Sequence, residues 1–442
     1  MHKIIKGAFI FITLFGFGLQ AQHSISGNFT PAQNFKWVVA YQLKSGSLAY
    51  VADAAVKNGV FKLNIKDAAE PGTYRLVYGI PQEELYFDVI YNGKEDVQLI
   101  FDETKGVTFI ASKENKLFTN YFKEVNICEQ EIISLFSANN FNTSELQQLV
   151  QSLEQIQSDY EKKSADLICH DYIIANNPYV PALTESAQEY VSNKKGAYFK
   201  KVNFKNIVLQ NSDFLMDKTI NYVLTAMPLQ QLTDNELEKV RQENISTVYG
   251  LLQNADASYA THFLYTLWNK LAILNLNETT DFMYNTYLEK LAIKTNNQKV
   301  IDNIVTHNRL RLGATAPEII WKDGDTDKKL SELEAAEHYV LVFWSSGCPH
   351  CLKEVPQLHK GLLEIPTTKV LAIGLEDNDT KWKKEIGKLN EFHHALALGK
   401  WENKYVGIYG IQTTPTYFIL DKDKKIVAKP SDYTGVITYL KP

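Results

Sequence analysis

From about His23 to Ala111 apolar positions recur at every second residue. Phe61, Leu63 and Ile65 alternate with polar neighbours, as do Tyr74, Leu76 and Tyr78, and a period of two places successive side chains on opposite faces of a strand. Asn58-Gly59, Pro71-Gly72 and Asn92-Gly93 fall between such runs. Asn-Gly pairs tolerate the positive φ values that tight hairpins require. The pattern predicts a small antiparallel β-sandwich over residues 22–112, with one face of each strand buried.

After Ser112 the period becomes helical. Phe118, Tyr121, Val125, Cys128, Ile132 and Leu135 recur at spacings of three and four, and Leu146, Leu149, Leu153, Ile156 and Tyr160 repeat the stripe. Further amphipathic stretches cover 181–198, 213–227, 234–253, 258–274, 280–293 and 298–310. Residues 113–310 therefore read as a central α-helical domain.

The last segment, 311–442, alternates between types as a mixed α/β domain should. Ile319 to Trp321 reads as a strand and Asp323-Gly324 as a turn, and Ser331-Glu332-Leu333-Glu334 has the form of a capping box opening a helix. Tyr339 to Trp344, Lys369 to Gly374 and Thr416 to Leu420 are continuous apolar runs, as in central strands buried on both faces.

Composition adds a cellular address. The 442 residues are 45% hydrophobic and 22% charged, the balance of a folded multidomain protein. Lys3 and Lys6 precede an apolar run from Gly7 to Leu19, and Leu19-Gln20-Ala21 supplies small-residue cleavage chemistry, so residues 1–21 read as a signal peptide. An uncleaved leader is the one route to a membrane. No cysteine follows the run closely enough to carry a lipid anchor, the first being Cys128. Loss of the two lysines takes the formal charge from -5 to -7, which argues against a nucleic-acid binder.

The chemistry concentrates at Cys348-Pro349-His350-Cys351. A buried strand precedes it, and Leu352, Val355, Leu358 and Leu362 follow at helical spacing, so Cys348 stands at a helix N-terminus with Pro349 at the first helical position. Free amides and the helix dipole stabilise a thiolate there. Cys351, one turn in, is near enough to form a disulfide with Cys348 and to resolve a mixed disulfide. Two plainer readings compete: half of a zinc site, or a chance pair. Zinc wants a second ligand pair at matching spacing, and no second C-x-x-C exists; no metal or cofactor is expected. Cys128 and Cys169 are open between a structural disulfide and inert core thiols. His359, His393 and His394 lack ligand spacing.

The segment from Gly313 to Leu440 resembles the TlpA/ResA-like branch of extracytoplasmic thioredoxin-fold proteins. The resemblance rests on Ala316-Pro317, Phe343-Trp344, Cys348-Pro-His-Cys351, Glu354 with Pro356, and Thr414-Pro415-Thr416 in that order. It implies a C-terminal α/β thioredoxin fold, a cis Pro415 facing the cysteines, and substrate contacts from Trp344, Pro349, His350, Thr414 and Pro415. It also implies that Glu354 assists proton transfer to and from Cys351, work that a buried or half-buried carboxylate could do, and that Pro356 kinks the helix. Two departures stand out: Val342 replaces the buried aspartate of cytosolic thioredoxin, and Gly347 replaces the tryptophan before the first cysteine, which should expose Cys348. The β domain is similar to an uncharacterised type found ahead of such modules.

The implied partners are protein dithiols or disulfides and a membrane electron donor, and the implied location is the periplasm. Pro349-His350 resembles the dipeptide of DsbA-type oxidants, where a protonated histidine favours the thiolate, whereas relatives of the TlpA/ResA type act mostly as reductases. The reductase direction is favoured. Two rival functions are an exported binding protein that uses the thioredoxin domain as a scaffold, and a thiol peroxidase, for which Ser345 stands where the peroxidatic threonine would be.

Overall fold

The computed structural model describes residues 23–66, 69–138, 142–334 and 336–441. The leader expected over residues 1–21 lies outside the described residues. Among the described residues no helix is long and apolar enough to cross a membrane. Contacts divide the chain into two compact units, Met1–Thr295 and Asn296–Pro442.

The first unit opens with strands β1 (Ser24–Thr30), β2 (Trp37–Lys44), β3 (Ser47–Ala55), β4 (Val60–Asn64), β5 (Gly72–Val77), β6 (Tyr86–Tyr91), β7 (Val97–Asp102) and β8 (Gly106–Ala111). They form two sheets, ordered β4-β1-β7-β8 and β3-β2-β5-β6. Between the sheets lie Ile25, Phe29, Phe61, Leu63, Tyr74, Leu76 and Leu99, the face that alternation predicts. Asn58 and Gly59 both have positive φ, 51° and 80°, so the β3–β4 connection uses the conformation for which Asn-Gly is suited. All pairings are antiparallel except that of β1 with β7, which a long crossover makes attainable.

One expectation changes here, because β5 and β6 of the second sheet are buried on both faces. Helices cover their outer side: the Thr73 hydroxyl meets the Tyr172 hydroxyl at 2.7 Å. The Asn115 amide also brackets Ile90, accepting from its N–H at 2.8 Å and donating to its C=O at 2.7 Å. Thr73 and Ile90 are consequently buried although they alternate with core residues. Those helices are the ones the stripes predict. Lys113–Ser137 buries Tyr121, Val125, Cys128, Ile132 and Phe136, Phe136 taking the buried place that the stripe assigns to Leu135. Thr143–Ser164, Ala187–Ala197, Phe214–Thr225, Asp234–Leu252 and Ala257–Ile273 follow. The short helix Cys169–Ala175 is too brief to show a period.

The structure also separates the two upstream cysteines. Cys169 donates its N–H to the Glu114 carboxylate at 2.6 Å, whereas Cys128 lies fourteen residues beyond Glu114 on its helix, about 21 Å at 1.5 Å per residue. A disulfide needs Cα atoms within about 7 Å. Both are free buried thiols, and burial pushes both above the ordinary thiol pKa.

The second unit begins with the helix Gln298–Leu310, whose Leu310 enters the core of that unit beside Ile319, Trp321 and Phe343. A hairpin of β9 (Ile320–Asp323) and β10 (Thr326–Lys329) precedes a five-stranded sheet. Its strands are β11 (His338–Trp344), β12 (Thr368–Glu376), β13 (His393–Leu398), β14 (Thr416–Asp421) and β15 (Ile426–Ala428), in the order β13-β12-β11-β14-β15. β11, β12 and β13 are parallel, and β14 and β15 run antiparallel. Alternation along β11 sends Tyr339, Leu341 and Phe343 to one core and Val340, Val342 and Trp344 to the other. Onto this second face packs the helix Pro349–Leu362 through Val355, Leu358 and Leu362, each burial contributing roughly 1.5–3 kcal/mol.

The capping box expected at Ser331 opens no α-helix. Leu330–Glu332 is a single 3-10 turn, and Ser331 instead donates through its N–H (3.1 Å) and its hydroxyl to the Glu318 carboxylate. A long-range acceptor has displaced the local one. Gly374 in β12 leaves no room for a side chain, because a Cβ there would strike the indole of Trp382, itself buried. Gly374→Ala should therefore destabilise the second unit by about 1–3 kcal/mol, read as a lower midpoint in guanidinium unfolding followed by tryptophan fluorescence; an unchanged midpoint would show that the indole can move aside.

Candidate active site

β11 delivers the chain to the site. After Trp344 the backbone turns through Ser345-Ser346-Gly347, held by Cys348 N–H to Ser345 O at 3.1 Å, by Gly347 N–H to Ser345 Oγ at 3.2 Å and by Ser346 N–H to the Glu376 carboxylate. Cys348 then occupies the N-cap of Pro349–Leu362, with φ -94° and ψ 113°. A cap side chain accepts from the free amides of the first turn, and here the acceptor is sulfur: Cys351 N–H reaches Cys348 Sγ at 3.3 Å. Pro349 fills the first helical position, where its missing N–H leaves nothing unsatisfied.

The two thiols have opposite environments. Cys348 is half-buried, and Cys351 is fully buried. Desolvation works to raise the Cys348 pKa, but hydrogen bonds from Cys351, with contributions from Thr414 and the amide of His350, outweigh it and hold the thiol below its ordinary value. Burial pushes Cys351 up to about 12, and its hydrogen bond to the Cys348 sulfur adds to the rise. Cys348 is thus the ready nucleophile, and Cys351 stays protonated until something takes its proton.

Thr414-Pro415 is a cis peptide, and the Thr414 carbonyl accepts from Cys348 Sγ at 3.4 Å. Pro415 is buried and Thr414 half-buried. The sequence-predicted residues Cys348, Cys351, Pro349, Thr414 and Pro415 therefore come together.

Glu354 is buried one turn below Cys351. One carboxylate oxygen accepts from the Tyr417 hydroxyl at 3.0 Å, and the other meets His350 Nε2 at 2.8 Å. His350 is mostly exposed and lies four residues before Glu354, the helical spacing at which side chains meet. The expectation that its charge sits beside Cys348 is corrected: the imidazole turns to Glu354 instead. Trp344 also departs from expectation. It is 1% exposed and packs with Val342, Cys351 and Val355, so it supports the helix from beneath and offers no surface to a substrate. Gly347, by contrast, is exposed and leaves Cys348 accessible as expected. Pro356 lies within the helix, which continues past it.

Two residues escaped the sequence reading. Tyr417 pairs in register with Val342 across β11 and β14, so it joins the cluster that contains Val342 and Cys351, and its hydroxyl reaches Glu354. Glu376, at the end of β12, fastens the loop before Cys348. Tyr417 directly follows Thr414-Pro415-Thr416, which carries part of the resemblance, but only the strand register shows which face it takes.

A family described as thioredoxin-like matches residues 337–426. The thiol-disulfide oxidoreductase ResA of Bacillus cereus is 28% identical over 123 residues, which are 27% of this chain and 70% of the relative. ResA of Bacillus anthracis is 27% identical over 123 residues, 27% of this chain and 69% of its own. The C-terminal region is thus similar to TlpA/ResA-like thioredoxin domains. Among solved structures, a domain of a possible thiol-disulfide isomerase from Cytophaga hutchinsonii is 29% identical and covers 30% of this chain and 92% of its own, with a TM-score of 0.27. A thioredoxin-like protein from Bacteroides caccae is 18% identical over 60% of this chain and 96% of its own, with a TM-score of 0.40. These sequence matches fall on the unit that holds Cys348 and Cys351, and they support a thioredoxin-like redox function.

The opposed thiol environments predict selective alkylation. Reduced protein treated with iodoacetamide near pH 7 should take one label, on Cys348, with a rate that rises through a midpoint below that of a free cysteine; labelling of Cys351 at a similar rate, read by peptide mass spectrometry, would contradict the assignment.

Proposed function

We propose that this protein is an exported thiol-disulfide oxidoreductase that acts on protein substrates in the periplasm, in the reductive direction. The observation that carries the chemistry is the asymmetry of the pair: an accessible Cys348 thiol below its ordinary pKa, accepting from the Cys351 N–H at 3.3 Å, above a buried Cys351 raised to about 12.

The Cys348 thiolate attacks one sulfur of a substrate disulfide, forming a mixed disulfide and expelling the other substrate sulfur as a thiolate. Cys351 then loses its proton and attacks Cys348 Sγ. The substrate leaves as a dithiol, and Cys348 and Cys351 are left as a disulfide. Two electrons pass to the substrate, and a thiol donor, the membrane protein implied by the family, must restore the pair. Glu354, buried and joined to Tyr417 at 3.0 Å and to the exposed His350 at 2.8 Å, is placed to pass the Cys351 proton towards solvent.

The orientation of His350 supports the reductive direction. A strongly oxidising site draws thiolate stability from a cation beside the nucleophile, and here that side chain is committed to Glu354. Export rests on the leader pattern, Lys3 and Lys6 before the apolar run Gly7 to Leu19.

The reduced protein should reduce insulin with dithiothreitol as donor, and Cys348→Ser should abolish the reaction. An equal rate in Cys348→Ser would remove the assignment and favour a scaffold role for this domain. Cys351→Ala, expressed in its native compartment, should accumulate mixed disulfides on Cys348 whose partners mass spectrometry identifies, and the mature N-terminus should be Gln22. Glu354→Gln and Tyr417→Phe should slow the resolving step, with about tenfold or greater loss for Glu354→Gln, seen as accumulation of the mixed disulfide in rapid-quench experiments while the first attack keeps its rate.

A further inference from the structure

In the first unit the outer face of β5 and β6 and the helices Lys113–Ser137 and Phe214–Thr225 line a cavity of about 460 Å³. That volume suits a small organic ligand. Its walls are largely aromatic, with Phe118, Phe122, Tyr198 and Phe214 among the lining side chains.

The polar groups of the lining are mostly committed within the protein. Asn115 is taken by the Ile90 backbone, Thr73 by Tyr172, and Asn221 donates to the Tyr198 hydroxyl at 2.8 Å. Asp88 and Asp213 share one cation, Arg75, which reaches them at 2.8 Å and 2.6 Å, and Asp217, exposed on one side, also lines the cavity. Lys218 is the exception. Its ammonium donates to Asn176 Oδ1 at 3.3 Å and lies 4.5 Å from the Tyr198 ring and 5.9 Å from that of Phe214, with no carboxylate in ion-pair contact among the described residues. Of the three donors an ammonium carries, two have no acceptor among the described residues. The neighbouring carboxylate Glu129 is taken by Lys194 at 2.8 Å.

An enclosed cation without a counter-charge is costly. Burial lowers the Lys218 pKa to about 8, yet the amine remains partly accessible through the cavity. It also lines an adjoining cavity of about 570 Å³, together with Asn176, Tyr198 and Asn221. We propose that Lys218 is the anchor of a binding site for a small carboxylate with an apolar or aromatic tail, its free donors taking the carboxylate and Phe118, Phe122 and Phe214 the tail. A carboxylate supplies what the Lys218 ammonium itself lacks, an ion-pair partner with hydrogen-bond acceptors, and the ring walls supply dispersion and apolar burial. A phosphate would bring more charge than one lysine among three aspartates can balance. The site is independent of Cys348 and Cys351, which belong to the other unit.

The test is isothermal titration of the full chain with phenylacetate and with hexanoate, and with phenylacetamide as the uncharged control. One-to-one saturable binding of at least one carboxylate is expected, with weaker binding of the amide. Lys218→Met, which keeps the chain length but removes the charge, should raise Kd about tenfold or more, whereas Lys218→Arg should retain binding. If Lys218→Met fails to fold, Phe122→Trp provides a fluorescence reporter that should be quenched by the ligand and should also narrow the cavity and weaken hexanoate binding. Binding should be unchanged in Cys348→Ser, which separates this site from the redox function. Absence of saturable binding by both carboxylates, or equal affinity in Lys218→Met, would overturn the proposal.

Discussion

The Cys351 amide points at the Cys348 sulfur because the helix Pro349–Leu362 begins within a few residues of the end of β11. A helix end has donors to spare, and placing sulfur at the N-cap turns those donors into stabilisation of a thiolate. The same turn of helix carries Cys351 inward, where burial has the opposite effect on its proton. One structural device therefore separates the two thiols into an attacking and a waiting group.

That device holds only if the helix is docked firmly. Val355, Leu358 and Leu362 anchor it to Val340, Val342 and Trp344 of β11, and β11 is itself fixed by parallel pairing with β12 and antiparallel pairing with β14. β14 begins directly after the cis Thr414-Pro415 bond, so the sheet that supports the helix from below also brings the Thr414 carbonyl to the sulfur from the side. Tyr417, two residues further along β14, faces the helix and meets Glu354. The thiols, the cis proline and the buried carboxylate are thus positioned by two neighbouring strands and one helix.

The first unit is organised by a different constraint. In its second sheet β5 and β6 are covered on both faces, by the other sheet and by helices, where Asn115 pairs with the Ile90 backbone and Thr73 with Tyr172. Arg75 gathers Asp88 and Asp213. Lys218 stands apart from this pairing, which gives the cavity beside it a chemical character of its own.

The sequence by itself determined the elements and the nucleophile. Apolar periods of two and of three to four depend only on local geometry, so the strands around Phe61, Tyr74 and Tyr339 and the long helical stripes were legible, and a C-x-x-C between a buried strand and a helical stripe fixed Cys348 at a helix start. Only the tertiary structure decided which face each side chain took and what lay opposite it. Trp344 went to the core because even positions of β11 face the helix, His350 turned to Glu354, Ser331 found Glu318 instead of opening a helix, and Tyr417 joined Val342 and Cys351 through strand register. Each of these depends on a partner between four and some seventy-five residues away in the chain, and hydrophobic period carries no information about which partner that will be. The separation of Cys128 from Cys169 is of the same kind: their spacing in sequence permitted a disulfide, and the length of one helix forbade it.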